Sequence, residues 1–251
     1  MSGHSKWSSI KHKKGAADAK RGQLFSKLTR AIIVAAREGG PDPAANLALQ
    51  NAVEKAREAS MPKDNIERAI ARGSGGAGSA DAYEHVTYEG YAPGGVALFV
   101  EALTDNRNRT ASEVRHLFSK NDGNLAESGA VAWLFERKGV ILVDADRADE
   151  DELTLAAADA GAEDVEPDGS SFRIKCAPED LHAVRSALEA AGVPVESVEV
   201  ALVPKTNVTV EDEGAARKIL RLMDALEEND DVQDVYANFD IPEAVLETVA
   251  S

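Results

Sequence analysis

Apolar residues recur along the chain with two different periods, and the change of period divides it. From Asp18 to about Glu38, the residues Leu24, Phe25, Leu28, Ile32, Ala35 and Ala36 fall three and four apart, the spacing of one helical face. Gly39-Gly40 and Pro41 stop that helix. Lys20, Lys27, Arg30 and Arg37 lie within about 100° of one another on the helical wheel, off the apolar stripe. Asp42 and Pro43 read as the N-cap and first position of a second helix. It runs to about Ser60 with Leu47, Leu49, Val53 and Ala56 inward. A third starts near Pro62, packs Ile66, Ala69 and Ile70, and ends at Gly73. Three short helices with small connections predict one helical domain.

Gly73-Ser-Gly-Gly-Ala-Gly-Ser79 matches G-x-G-x-x-G in its letters. A helix precedes it and a strand follows, the reverse of what a dinucleotide loop needs, so it reads as a linker. Beyond it the pattern shortens. Tyr83–Glu89 reads as a strand, Tyr91–Gly95 as a turn, and Val96–Leu103 as a buried strand. A helix with Val114, Leu117 and Phe118 inward follows, then an apolar run Ala130–Phe135 that reads as another strand. Thr110 and Glu113 form a capping-box pattern that would start the helix at Thr110.

Residues 139–203 give a series of their own: strand Val140–Val143, helix Glu150–Ala160, strand Glu163–Glu166, a Pro-Asp-Gly turn at 167–169, strand Phe172–Cys176, helix Pro178–Ala191 and strand Val195–Val203. This is the β-α-β-β-α-β order of ferredoxin-like units. Its first and last strands are neighbours, so such a unit can be inserted into another domain and is expected to be separable from it. After residue 205 come one helix (about Asp212–Glu228) and one strand containing Val235, Ala237 and Phe239. They are too little for a domain and are expected to complete the sheet begun at Tyr83. The predicted fold class is α+β: an N-terminal three-helix domain, then two α/β domains, the last a ferredoxin-like unit inserted into the middle one. The expected boundaries are 1–78, 79–136 plus 206–251, and 137–205.

Charge changes the picture. The chain of 251 residues carries a net charge of −16, which by itself argues against nucleic acid. Residues 1–75, however, hold 14 Lys and Arg against 7 Asp and Glu, while residues 76–251 hold 14 against 37. A basic first third of net +7 thus sits on an acidic body of net −23, the asymmetry expected of a chain with one nucleic-acid-facing part. Residues 1–17 are polar and basic, an arm with Trp7 and Ile10 as its only strongly apolar residues. No apolar run approaches the roughly 20 residues of a membrane span, and no secretory signal is visible. A single cysteine, Cys176, excludes a disulfide framework. The expected location is cytoplasmic.

Candidate chemistry is sparse. The five histidines, at 4, 12, 85, 116 and 182, have no metal-ligand spacing. No nucleophile–base arrangement is visible, so neither cofactor, metal site nor enzymatic activity is expected. The acidic run Asp144–Glu152 fails the calcium-loop pattern and suits a helix N-terminus. Glu227–Asp231 reads as a solvated acidic turn. The binding candidates are cationic or aromatic: Lys6, Trp7, Lys11, His12, Lys13, Lys14, Lys20, Arg21, Lys27 and Arg30 in the first third, and Arg107 and Arg109 in the loop Thr104-Asp-Asn-Arg-Asn-Arg-Thr110. Cations interleaved with aromatics suit phosphate contact and stacking on unpaired bases; Trp7 could equally anchor the arm. Arg107 and Arg109 stand before a helix N-terminus, where anions are favoured, or pair with acidic neighbours.

Several of these segments resemble the YebC/PmpR family. They are Gly3-His-Ser-Lys-Trp7, Ile10-Lys-His-Lys-Lys14, Asp18-Ala-Lys-Arg-Gly22 with Phe25, Pro62-Lys-Asp-Asn-Ile-Glu-Arg68, Tyr88-Glu-Gly-Tyr-Ala-Pro-Gly94 and Leu103-Thr-Asp-Asn-Arg-Asn-Arg109. The family also includes mitochondrial translational activators of cytochrome c oxidase. The resemblance covers essentially the whole chain. It implies a helical domain, two α/β domains and a non-enzymatic role in gene expression. The expected function is therefore a DNA-binding transcriptional regulator with nucleic acid as partner. Two alternatives stand beside it. One is a ribosome-associated translation factor that binds RNA, as at proline-rich stalls; the other is a ligand-sensing or enzymatic α/β protein.

Overall fold

A computed structural model describes residues 17–75 and 83–250. No helix among them is long and apolar enough to cross a membrane. Helices α1 (Ala17–Gly39), α2 (Leu47–Glu58) and α3 (Lys63–Gly73) pack on one another through Ile32, Ile33, Ala36, Leu49, Val53, Ala56, Ile66 and Ala69. The α2 cap is Asn46 rather than Asp42. Asn46 is buried where α1 ends: its Nδ2 donates to Ala35 O at 2.8 Å and Gly40 O at 2.9 Å, while Oδ1 accepts from Leu49 N at 3.1 Å. One side chain thus satisfies orphan groups of two helices, and Asp42 is left to a turn ahead of them, accepting from Ala44 N. Gly73 closes α3, where the sequence predicts the helix to end, and a Cβ there would lie 2.4 Å from Ile33 O. The rest of the Gly-rich stretch, from residue 76, lies outside the described residues.

The first sheet contains β1 (Glu84–Ala92), β2 (Val96–Thr104), β3 (Asn124–Leu125) and β9 (Val232–Ala237), in the order β3-β1-β2-β9. Helix α4 (Arg107–Lys120) follows β2, and α7 (Glu213–Glu227) precedes β9. The second sheet contains β4 (Phe135–Asp144), β5 (Ala162–Asp168), β6 (Ser171–Cys176) and β7 (Val195–Pro204), with α5 (Glu150–Asp159) and α6 (Leu181–Ala190) between them. Its order, β5-β6-β4-β7, with every pair antiparallel, is that of a ferredoxin-like unit. A short parallel pair, β8 (Val208–Thr209) with β10 (Phe239–Asp240), and helix α8 (Glu243–Ala250) complete the chain.

Strand β2 is buried on both faces, which is why it reads as a continuous apolar run. Val96, Leu98 and Val100 face Val114 and Phe118 of α4 and Ile219, Met223 and Leu226 of α7. Ala97 and Phe99, with Tyr236 of β9 beside them, face the second sheet and form a shared core with its Phe135, Val140 and Ala201. This common core weighs against separability of the two α/β units. Gly90 permits close packing: a Cβ would lie 2.5 Å from the Phe118 ring.

Three local expectations are corrected. Ala130–Phe135 is not a strand: Ala132–Leu134 forms a 3-10 turn, and β4 starts only at Phe135. The buried carboxylate of Glu89 accepts from Gly129 N (2.6 Å), Val131 N (2.7 Å) and Ala132 N (2.8 Å), so these amides have no need of a ladder partner. Trp133 is consequently 66% exposed. The β5–β6 hairpin turns on Gly169-Ser170, with Asp168 paired to Ser171 and Gly169 at φ 65°. Pro167 stays within β5, an edge strand that tolerates its missing N–H. Helix α4 starts a turn early, because Asn106 Oδ1 accepts from Arg109 N at 3.1 Å. Thr110 lies inside the helix, with its side chain used elsewhere.

Candidate nucleic-acid interface

Of the sequence candidates, Lys6, Trp7, Lys11, His12, Lys13 and Lys14 lie outside the described residues. Lys20 and Arg21 are on the first turns of α1, and Arg21 is exposed. Lys27 and Arg30 lie on the ridge opposite the apolar stripe, and there the ridge meets a partner within the chain. Gln23, Lys27, Arg30 and Arg37 share about 80° of arc at 100° per residue. Gln23 Nε2 donates to Glu228 O, Lys27 Nζ to Glu227 O at 2.5 Å, and Arg30 Nη1 to Asp230 O. Those oxygens are at and just beyond the C-terminus of α7, the negative end of its dipole. Arg37 Nη2 donates to Tyr83 O at 2.6 Å, and the Arg30 guanidinium lies 5.5 Å from the centre of the Tyr83 ring. The basic ridge is thus the face by which the helical domain docks.

The centre of the seam is Asp231, whose side chain is 4% exposed. Arg30 Nη1 reaches its Oδ1 at 2.8 Å. Arg109 Nη2 reaches Oδ2 at 2.6 Å, the Thr110 hydroxyl lies 2.6 Å from the same oxygen, and the Thr104 hydroxyl 3.1 Å from it. One carboxylate thus ties together α1, the end of β2 and the first turn of α4. Burial alone would raise the Asp231 carboxyl; the hydrogen bonds from Arg109 and Thr110 and the charges of Arg109 and Arg30 outweigh it and hold the group below its ordinary value. Hydrogen bonding to Asp231 and then Asp105 raises Arg109 further above its own.

The loop between β2 and α4 is therefore spent internally. Arg109 also pairs with Asp105 at 2.8 Å. The N-terminal amide that could have taken an anion is filled by Asn106. Arg107 is different: its side chain is 67% exposed, and among the described residues it pairs with Glu84 at 3.5 Å.

Sequence reasoning missed Asp231, Glu89 and Gln23. It read Glu227–Asp231 as a solvated turn. The available signal was complementarity of charge, a cationic ridge at 27, 30 and 37 against an acidic run at 227–231.

Among the described residues, no group of three or more His, Cys, Asp or Glu could hold a metal. The acidic run Asp144–Glu152 is spent on capping: Asp149 accepts from Asp151 N and Glu152 N. Cys176 is buried, and burial pushes its thiol up to about 11, away from the thiolate a nucleophile needs. A shallow cavity of about 270 Å³ is lined wholly by residues of the helical domain, among them Gln50, Glu54 and Arg57.

Comparison with known proteins gives a consistent result. The model of the TACO1/YebC protein N-terminal domain matches residues 5–76, and that of the TACO1/YebC second and third domain matches residues 83–239. A protein of Rubrobacter xylanophilus named "Probable transcriptional regulatory protein" is 62% identical over the whole of both chains. A protein of the same name from Natranaerobius thermophilus is 57% identical over 99% of this chain and all of its own. The crystal structure of a conserved hypothetical protein from Aquifex aeolicus superposes with a TM-score of 0.83 at 54% identity, covering 93% of this chain and 96% of that one.

Proposed function

The chain belongs to the TACO1/YebC family, and on that premise we propose that it is a DNA-binding regulator of transcription that holds the phosphate backbone through its first third. The observation that carries this reading is the charge split, net +7 over residues 1–75 against −23 over the rest. Relatives of 62% and 57% identity named as transcriptional regulatory proteins support it. The contact set consists of Lys6, Lys11, His12, Lys13, Lys14, Lys20 and Arg21, with Arg107 as a satellite cation. Arg109 serves the Asp231 cluster. A basic segment on an acidic body binds phosphates with one part while the other is repelled, which favours an end-on approach. If about four of the early cations touch phosphates, log K falls against log salt with a slope of roughly −3.6 on duplex DNA. Replacing Lys11, Lys13 and Lys14 with Ala is expected to flatten that slope and weaken binding to all sequences alike. Unchanged low-salt affinity in the triple variant would remove the arm from the mechanism.

A second reading, an RNA-binding factor associated with the ribosome, draws on Trp7 and His12 standing among the lysines, a composition suited to unpaired bases. Gradient sedimentation of lysate with and without nuclease separates the two. Recovery with chromosomal DNA supports the first reading, and co-migration with ribosomes the second.

A further inference from the structure

We propose that the seam between α1 and the end of α7 is a masked phosphate-binding surface, closed by the chain's own oxygen atoms. The proposal rests on the nucleic-acid reading above and adds a second contact surface and its control. Gln23, Lys27 and Arg30 form one row on α1, and each is met by an acceptor on 227–231: three carbonyl oxygens and one carboxylate. Such a row of anionic and partly anionic oxygens presents to the helix what the non-bridging oxygens of a phosphodiester chain would present. Cationic N–H donors bind both in the same way, through charge-assisted hydrogen bonds.

The seam is built so that an ionic competitor can open it. The apolar cluster of the three helices and that of the first sheet share no residue. Long side chains bridge the gap, and the contacts of Gln23 and of Arg30 with the carbonyls are solvent-exposed. A polar, accessible seam is screened by salt and displaced by a denser array of charge; an apolar one would resist both. Asp231 itself need not pay for the opening with an unpaired buried charge, because Arg109, Thr110 and Thr104 remain on it when Arg30 leaves. The cluster is thus a stable rest for a removable arginine. When the helical domain is docked, Lys27 and Arg30 are turned to the chain's own oxygens; undocked, they are open to a polyanion.

The test is to lock the seam. In Gln23→Cys with Glu228→Cys, the one native cysteine is buried, so a short bismaleimide joins only the new pair; the same protein capped with N-ethylmaleimide is the control. Both are titrated across a salt series with a 20-bp duplex of arbitrary sequence and with single-stranded (dT)20. The control is expected to have a salt slope on duplex steeper by roughly 1.8, two phosphate contacts' worth, and at least about tenfold higher affinity at ~0.1 M salt. Asp231→Asn is expected to move the uncrosslinked protein in the same direction as release. If locked and control proteins bind alike with equal slopes, the mask is wrong and the nucleic-acid reading stands. If the control binds neither probe at low salt, both fall.

Discussion

Glu89→Gln isolates one interaction, because the two side chains have the same shape. In the parent, Oε1 of the buried carboxylate faces Gly129 N, while Oε2 takes both Val131 N and Ala132 N. A glutamine has one oxygen. Placed at the Oε2 position, it leaves its own NH2 facing the Gly129 N–H, donor to donor. One charge-assisted bond is lost and an amide is left wanting, a cost of about 1–3 kcal/mol, and the two remaining bonds fall from charged to neutral strength at about 1 kcal/mol each. The sum is about 3–5 kcal/mol; Gly129 N is only part-buried, so water brings the value toward the lower end. For a chain of this size that corresponds to a fall in Tm of about 6–20 °C. Urea and thermal unfolding measure it. A Trp7→Phe background leaves Trp133 as the only tryptophan, so its emission reports the same loop directly. A variant within about 0.5 kcal/mol of its parent, with unaltered Trp133 emission, would refute the view that this carboxylate organises residues 129–132.

Arg107→Ala and Arg109→Ala are expected to part company: the first leaves stability within about 0.5 kcal/mol, whereas the second costs about 1–3 kcal/mol by removing the strongest partner of a buried carboxylate, as chemical denaturation will read. Asp231 is held below its ordinary value of 3.8, so its stabilisation is complete above that pH and fades as pH falls through the lower, folded-state value. Amide protection at the end of β2, taken relative to the intrinsic exchange rate at each pH, is therefore expected to fall in acid, and protection unchanged from about pH 5 to about pH 2 would contradict it. Replacing Lys138–Pro204 by a short Gly/Ser linker strips Val140, Ala201 and their neighbours from Ala97, Phe99 and Tyr236. Val96–Thr104 should then lose amide protection, and retained protection would show that the first sheet stands alone.

What the sequence revealed and what it concealed differ in physical kind. The helix of Leu24–Ala36 and the β-α-β-β-α-β order were legible because each rests on a period within its own residues. The caps were misassigned where several capping residues compete. Asp42 and Asn46, or Asn106 and Thr110, are equally able locally, and Asn46 and Asn106 prevail because Asn46 also ends α1 and Thr110 is taken by Asp231. The run Ala130–Phe135 has the composition of a strand and is turned aside by a carboxylate some 40 positions earlier. The ridge of α1 was visible as a face, but its partner is about 200 residues away. Three of that partner's four acceptors are main-chain carbonyls, which no side-chain pattern reports.

The first sheet takes β2 from residues 96–104 and its neighbour β9 from residues 232–237, so β2 waits for a strand that is made 128 residues later. At synthesis rates of about 5–20 residues per second, that interval lasts roughly 6–26 s. The second sheet needs nothing beyond Pro204 and can form meanwhile. Residues 227–231, the dock for α1, emerge almost last. Throughout that interval the growing chain carries α1 without the acceptors at 227–231 on which its ridge docks, beside a polymer of phosphates from which it has not yet been released.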